Sequence, residues 1–213
     1  DRLFTDVFRD VDAYVRSTSS VDTGFGEQRA PSPISALETI LGVEGVSAAV
    51  GDMQSYARVI GKDGKPLGED QGPPTFGGIA SSSAAALWNT EAGRLPIGPK
   101  EVMLDRTTAE AGKFAIGDTV RVNALSGTRE FSLVGIANYG DVSSPGGATF
   151  ALFDQPTASE FLLKPGFVDA FLIKGDGTLS DEELAKAIDA ALPSDAKLET
   201  LTGAEITEET TSQ

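Results

Sequence analysis

The stretch EAGRLPIGPKEVMLDRTTAEAGKFAIGDTVRVN, Glu91 to Asn123, sets out a sequence of elements that organises the rest of the chain. A short helix is predicted at Arg106 to Ala111. Gly117-Asp118 then suits a tight turn, and Val120, Val122 and Ala124 alternate with polar residues as a half-buried strand does. Ser126-Gly127 turns the chain into a second strand. In that strand Phe131 and Leu133 share one face, and Val134 and Ile136 the other, so the pair reads as a β-hairpin.

Downstream, GGATFALFD predicts a strand, and Pro156 to Leu163 a helix with Asp154 as its cap. The last segment reads β-α-β: FVDAFLIKG, a helix over Ser180 to Leu192, and Leu198 to Thr202. GAEITEETTSQ is expected to trail away as a polar tail. Upstream, Val11, Ala13 and Val15 alternate as a strand, followed by a polar Gly/Ser-rich stretch over Ser17 to Arg29. APSPISALETILG predicts a helix with Ser32 as cap, Pro33 in the first turn and Gly42 as a left-handed stop. Val46 to Ile60 reads as extended, and Asp63-Gly64 as a hairpin turn. EDQGPPTFGG, Glu69 to Gly78, is the strongest break, and a subdomain boundary is placed near it.

Composition removes most chemistry. The 213 residues contain no Cys and no His. Thiol nucleophiles, disulfides, zinc-thiolate sites and Ser-His-Asp catalysis are therefore excluded. The formal net charge of −15 opposes binding to nucleic acid and to anionic lipid headgroups. No apolar run is long enough to span a membrane. The chain opens at Asp1, and it is expected to be a segment of a longer protein.

KGDGTLSDEEL, Lys174 to Leu184, resembles half an EF-hand calcium loop. With Gly177 as the sixth position, Asp176 and Glu183 fit the fifth and twelfth, but Leu172 and Lys174 occupy the first and third. Ser180 and Glu183 instead form a capping box, and Leu179 with Leu184 a hydrophobic staple. Asp181, Glu182 and Glu183 sit where the helix dipole favours negative charge. The Gly-rich stretches GFGEQRA and GGIASSS match no phosphate loop. Trp88 could anchor a ligand or pack against the core, and Arg94 could clamp an anion or form a structural salt bridge. No residue is assigned to catalysis, a cofactor or a metal, and no substrate- or partner-binding residue is identified.

The segment Glu91–Asn123 is similar to a stretch in the extracytoplasmic domains of MacB/FtsX-type ABC transporter permeases. The matching features are Gly93, Arg94, Pro96, Glu101, Val102, Ala109, Gly117 and Asp118. REFSLVGI and GATFALFDQPTASEFL resemble the units that follow, and TLTGAEITEETTSQ the segment before the second transmembrane helix. Departures are greatest at Ser17 to Arg29 and Ser81 to Ala86.

The resemblance implies an α+β fold with two subdomains. A membrane-proximal, porter-like β-α-β subdomain is formed by both chain ends, residues 1–75 and 166–213, and a β-rich subdomain, 76–165, is inserted. It implies the extracytoplasmic domain of a plasma membrane protein, placed between the first and second transmembrane helices. The implied partners are a cytoplasmic ATP-binding subunit, a second permease copy in a homodimer or pseudo-dimer, and an extracellular protein or a lipid or peptide substrate. The expected role is non-catalytic coupling of ATP-driven motion to substrate handling or partner control. The competing readings are a secreted or anchored hydrolase using Ser-Lys or carboxylate chemistry, and a stand-alone binding module.

Overall fold

In the computed structural model, residues 8, 10–22, 27–68, 72–140 and 142–211 are described. The chain begins with β1 (Ala13–Ser17), β2 (Ser20–Asp22), β3 (Glu27–Arg29), β4 (Ser32–Pro33), α1 (Ala36–Leu41) and β5 (Val46–Asp52). It continues through β6 (Ser55–Ile60), β7 (Thr75–Ile79), β8 (Trp88–Gly93), β9 (Glu101–Asp105), α2 (Arg106–Ala111), β10 (Thr119–Ala124), β11 (Gly127–Tyr139), β12 (Thr149–Phe153) and α3 (Gln155–Phe161). It ends with β13 (Phe167–Val168), β14 (Ala170–Gly175), α4 (Asp181–Ala191), β15 (Leu198–Thr202) and α5 (Gly203–Thr211).

These elements divide into two compact units. The first comprises 1–52, 83–86 and 166–213, and the second 53–82 and 87–165. Residues 53–75, expected with the chain ends, thus lie in the other unit. The reason is strand pairing: β6 runs antiparallel to both β10 and β7. The Pro/Gly cluster is not a divide either, because Gly77 and Gly78 lie inside β7. A Cβ on Gly77 would come within 2.8 Å of Leu162, and one on Gly78 within 2.8 Å of the Met53 carbonyl oxygen. Those glycines serve close packing within a strand rather than a break.

The first unit holds a four-stranded antiparallel sheet in the order β15-β1-β14-β5. Helix α1 packs on β5, and α4 on β15 and β1. This is the split β-α-β arrangement of ferredoxin-like folds, with the second unit inserted between β5 and β14. Cross-strand pairs Ala13–Ile173 and Val15–Phe171 are fully buried, as are Ile40 and Ile188 of the helices.

Helix α4 begins as its sequence predicts. Ser180 accepts a hydrogen bond from Glu183 N, and Glu183 accepts one from Ser180 N. Leu179 and Leu184 both reach the space above Gly45. Helix α1 starts later than expected, at Ala36, and Ser35 at its cap makes no side-chain bond. Ser32 and Pro33 instead pair with Val168 and Phe167. Gly42 closes α1 with ordinary right-handed dihedrals, φ −82° and ψ −7°, so it is not a left-handed stop.

The second unit is a seven-stranded sheet, β10-β6-β7-β12-β9-β11-β8, in which β10 also pairs with β11. Six strands therefore close on themselves, while β8 extends the sheet from the far half of β11. Strands β9 and β12 are buried on both faces. Phe153 meets Phe131 and Phe161 at ring-centroid distances of 4.8 and 5.5 Å. On the other face of β12, Phe150 and Leu152 join Met103 and Ala137, with Trp88 and Leu95 packed against them. Asp154 caps α3 by accepting from Thr157 N, and Asp105 caps α2 by accepting from Thr108 N.

Candidate functional site

The two ends of the chain meet on one sheet. Strand β1 lies between β14 and β15, and β15 runs directly into α5. The pleat sends Ala13 and Val15 toward α4 and turns Tyr14 and Arg16 to the opposite face. There Arg16 stands across from Glu199 in register. Its Nε donates to Glu199 at 2.8 Å, while its two terminal nitrogens donate to the two carboxylate oxygens of Glu209 on α5 at 2.9 and 2.7 Å. Arg29, from β3, donates to the same Glu199 oxygen at 3.0 Å. The Arg16 side chain is only 9% exposed. Burial disfavours its charge, yet its bonds to Glu209 and Glu199 outweigh this and raise its pKa. The Arg16 fork in turn holds the Glu209 carboxyl below the ordinary glutamate range. Burial, followed by the field of Asp52, pushes the Tyr14 phenol upward.

Helix α5 is docked at its start as well. Thr202 Oγ1 accepts from Glu205 N and Glu205 accepts from Thr202 N, a second capping box. Gly203 N donates to the Asp12 carbonyl at 3.1 Å. A Cβ at Gly203 would lie 1.8 Å from the Val11 carbonyl oxygen. Over residues 203–211 the segment expected to trail away is a helix. The T-x-x-E signal that starts it was present in TGAE, Thr202 to Glu205.

On α4 and β15 the same unit has a surface cleft of about 390 Å³, lined in part by Glu182, Lys186, Asp189, Thr200, Thr202 and Glu205. In the second unit, Arg94 and Glu101 form a two-pronged salt bridge with both contacts at 2.6 Å. The Arg94 fork, with an added bond from Ile97 N, holds Glu101 at about 2. Asp105 is fully buried, and burial raises its pKa despite opposing bonds from Thr108 and Phe150 N. Its oxygens accept from Thr108 N, Thr108 Oγ1 and Phe150 N.

The sequence matches the MacB-like periplasmic core domain over residues 3–191. The chain belongs to that family. MacB-like core domains are extracytoplasmic parts of ABC transporter permeases, and this chain is one. Its fold is similar to that of the periplasmic region of MacB from Actinobacillus actinomycetemcomitans. The TM-score there is 0.67 at 11% identity, covering 100% of this chain and 99% of that one. It is also similar to the extracellular domain of the noncanonic ABC-type transporter YknZ from Gram-positive bacteria. There the TM-score is 0.58 at 12% identity, covering 90% of this chain and 98% of that one. Comparison with curated proteins gave no match. Among the described residues no helix is long and apolar enough to cross a membrane.

The residues singled out from sequence find ordinary structural partners in this MacB-like domain. Arg94 pairs with Glu101, and Trp88 packs on Tyr139 and Phe150 at centroid distances of 4.9 and 4.7 Å. In KGDGTLSDEEL, Asp176 accepts from Thr178 N at 2.9 Å, and Glu183 serves the capping box. Leu172 is buried in β14. The Arg16–Glu199–Glu209–Arg29 network had no local signature, because its members lie up to 193 positions apart.

Proposed function

We propose that this MacB-like domain performs no covalent chemistry and transmits movement. Transmembrane helices, driven by ATP hydrolysis on a cytoplasmic subunit, would move the sheet of the terminal unit. That motion would serve handling of a lipid or peptide substrate, or control of an extracellular protein, in a permease dimer. The observation that carries this reading is the joining of β1 to α5. The bond from Gly203 N to Asp12 and the close approach of Gly203 to Val11 fasten the first strand to the start of the last helix, and Arg16 ties Glu199 and Glu209 to the same strand. The hydrolase reading would need a desolvated carboxylate that a substrate can reach. Asp105 is desolvated, but it is fully buried and committed to capping α2 and bonding β12.

The test uses the full-length permease reconstituted with its ATPase subunit. A Glu38→Cys spin label at an exposed position of α1 reports the distance between protomers, and this domain contributes no cysteine of its own. The expected result is a distance distribution that differs between the ATP-bound and ADP-vanadate states. Identical distributions would overturn the transmission reading. Turnover of ester, peptide or glycoside probes, abolished by a single serine or carboxylate substitution, would overturn the non-catalytic one.

A further inference from the structure

We infer that α5 is a releasable strap, latched to the sheet by the Arg16–Glu209 pair and hinged at Thr202–Gly203. This rests on the transmission reading above and specifies where the terminal unit would yield. Helix α5 has nine residues, and a helix of that length is marginal in water without docking. Its buried residues are Gly203 and Ile206, so a single large apolar side chain anchors it.

Across its far half Glu209 sits on the Arg16 fork, with Arg29 adding a longer ion pair to the same carboxylate at 3.8 Å. The start is held separately, by the Thr202–Glu205 box and the bond from Gly203 N to Asp12. Lifting α5 therefore breaks the far tie before the near one. Thr207, Thr210 and Thr211 donate their hydroxyls to α5 carbonyls at Gly203, Ile206 and Thr207. The helix thus carries its own bonds with it when it lifts.

Arg16 is also provided for in the lifted state. Its Nε bond to Glu199 lies between β1 and β15, within the sheet, and does not depend on α5. Release leaves the arginine paired rather than orphaned, which lowers the cost of opening. The network is therefore built as a latch with a fallback, in contrast to a two-residue ion pair that would leave a buried charge behind.

Hydrogen exchange on this 213-residue chain, read by mass spectrometry, tests the strap. Amides of residues 206–211 should exchange at least about tenfold faster than those of β14, through opening that leaves the sheet intact. Glu209→Gln, and separately Arg16→Lys, which loses the two-pronged fork, should each speed α5 exchange by roughly tenfold more while β14 stays unchanged. The wild-type chain in about 1 M salt should move in the same direction without any substitution.

Equal protection of α5 and β14, or no response of α5 to Glu209→Gln, Arg16→Lys and salt, would overturn the strap. Such a result with nucleotide-dependent protomer distances intact removes the strap and leaves the transmission reading. A responsive α5 with identical distances supports the strap as a property of the domain and removes transmission.

Discussion

Gly203→Ala should destabilise the terminal unit, although alanine is the better helix former. In an ordinary helical position the change would stabilise by up to about 1 kcal/mol. Here the added Cβ would fall 1.8 Å from the Val11 carbonyl oxygen and 2.9 Å from its carbonyl carbon. Both atoms are backbone of a segment leading into β1, so no side-chain rotation relieves the overlap. The helix start must move by more than 1 Å or so, an overpacking cost of about 1–3 kcal/mol. The shift also breaks the bond from Gly203 N to Asp12, a further loss of about 1 kcal/mol. The net expectation is a loss of about 2 kcal/mol, or roughly 4–8 °C in the melting temperature of a chain this size. Differential scanning calorimetry with urea denaturation measures it. Gly42→Ala is the control: its nearest neighbours would be the Thr39 and Glu38 carbonyls at 3.5 and 3.6 Å, an ordinary contact, so stability should hold or rise slightly. A neutral or stabilising Gly203→Ala would refute the packing argument and the fastening of β1 to the start of α5 that depends on it.

Ser180→Ala removes one half of the α4 capping box and should cost about 1 kcal/mol by urea denaturation, while calcium or EDTA leaves the melting temperature unchanged. Glu101, held at about 2 by Arg94 and Ile97 N, should titrate there by carboxyl NMR. Because its pKa is depressed, the Arg94–Glu101 contribution is present above the ordinary glutamate value of about 4.3 and lost as pH falls through about 2. Asp105 has the opposite sign. Its pKa is raised by burial, so what its protonation contributes is present below about 3.9 and fades as pH rises through the folded value. Asp105→Ala should still destabilise by about 2–4 kcal/mol in thermal melts, because it orphans the buried donors Thr108 N, Thr108 Oγ1 and Phe150 N.

Elements with local signals were legible from sequence. The α4 capping box, the α3 cap at Asp154, α2 at Arg106–Ala111 and the β10–β11 hairpin are each specified by residues a few positions apart. Helix α5 carried an equally local T-x-x-E signal, but its polar composition masked it, since the helix buries one large apolar residue rather than a stripe. Ser32-Pro33 looked like a helix start because its competing partner, Phe167-Val168, is remote in sequence. Barrel closure was out of reach for the same reason. The parallel pairs β7–β12 and β9–β11 leave no trace in the spacing of either strand. Gly77 and Gly78 were read as a break because sequence does not show that Leu162 and the Met53 carbonyl fill the space where their Cβ atoms would be.

The split sheet also dictates an order of assembly during synthesis. Of the four strands of this sheet β1 is made first, yet both of its neighbours, β14 and β15, are made last, and its Arg16 waits for a partner 193 positions away. At about 5–20 residues per second that interval is roughly 10–40 s. The inserted unit, complete within 53–165 apart from four residues, can fold meanwhile. Strand β1 thus spends synthesis as an unpaired segment with two bare edges, with Asp10 and Asp12 before it and Arg16 within it as charges that discourage self-pairing. Slow closure of the terminal sheet, rather than collapse of the barrel, should set the pace at which the domain reaches its native state.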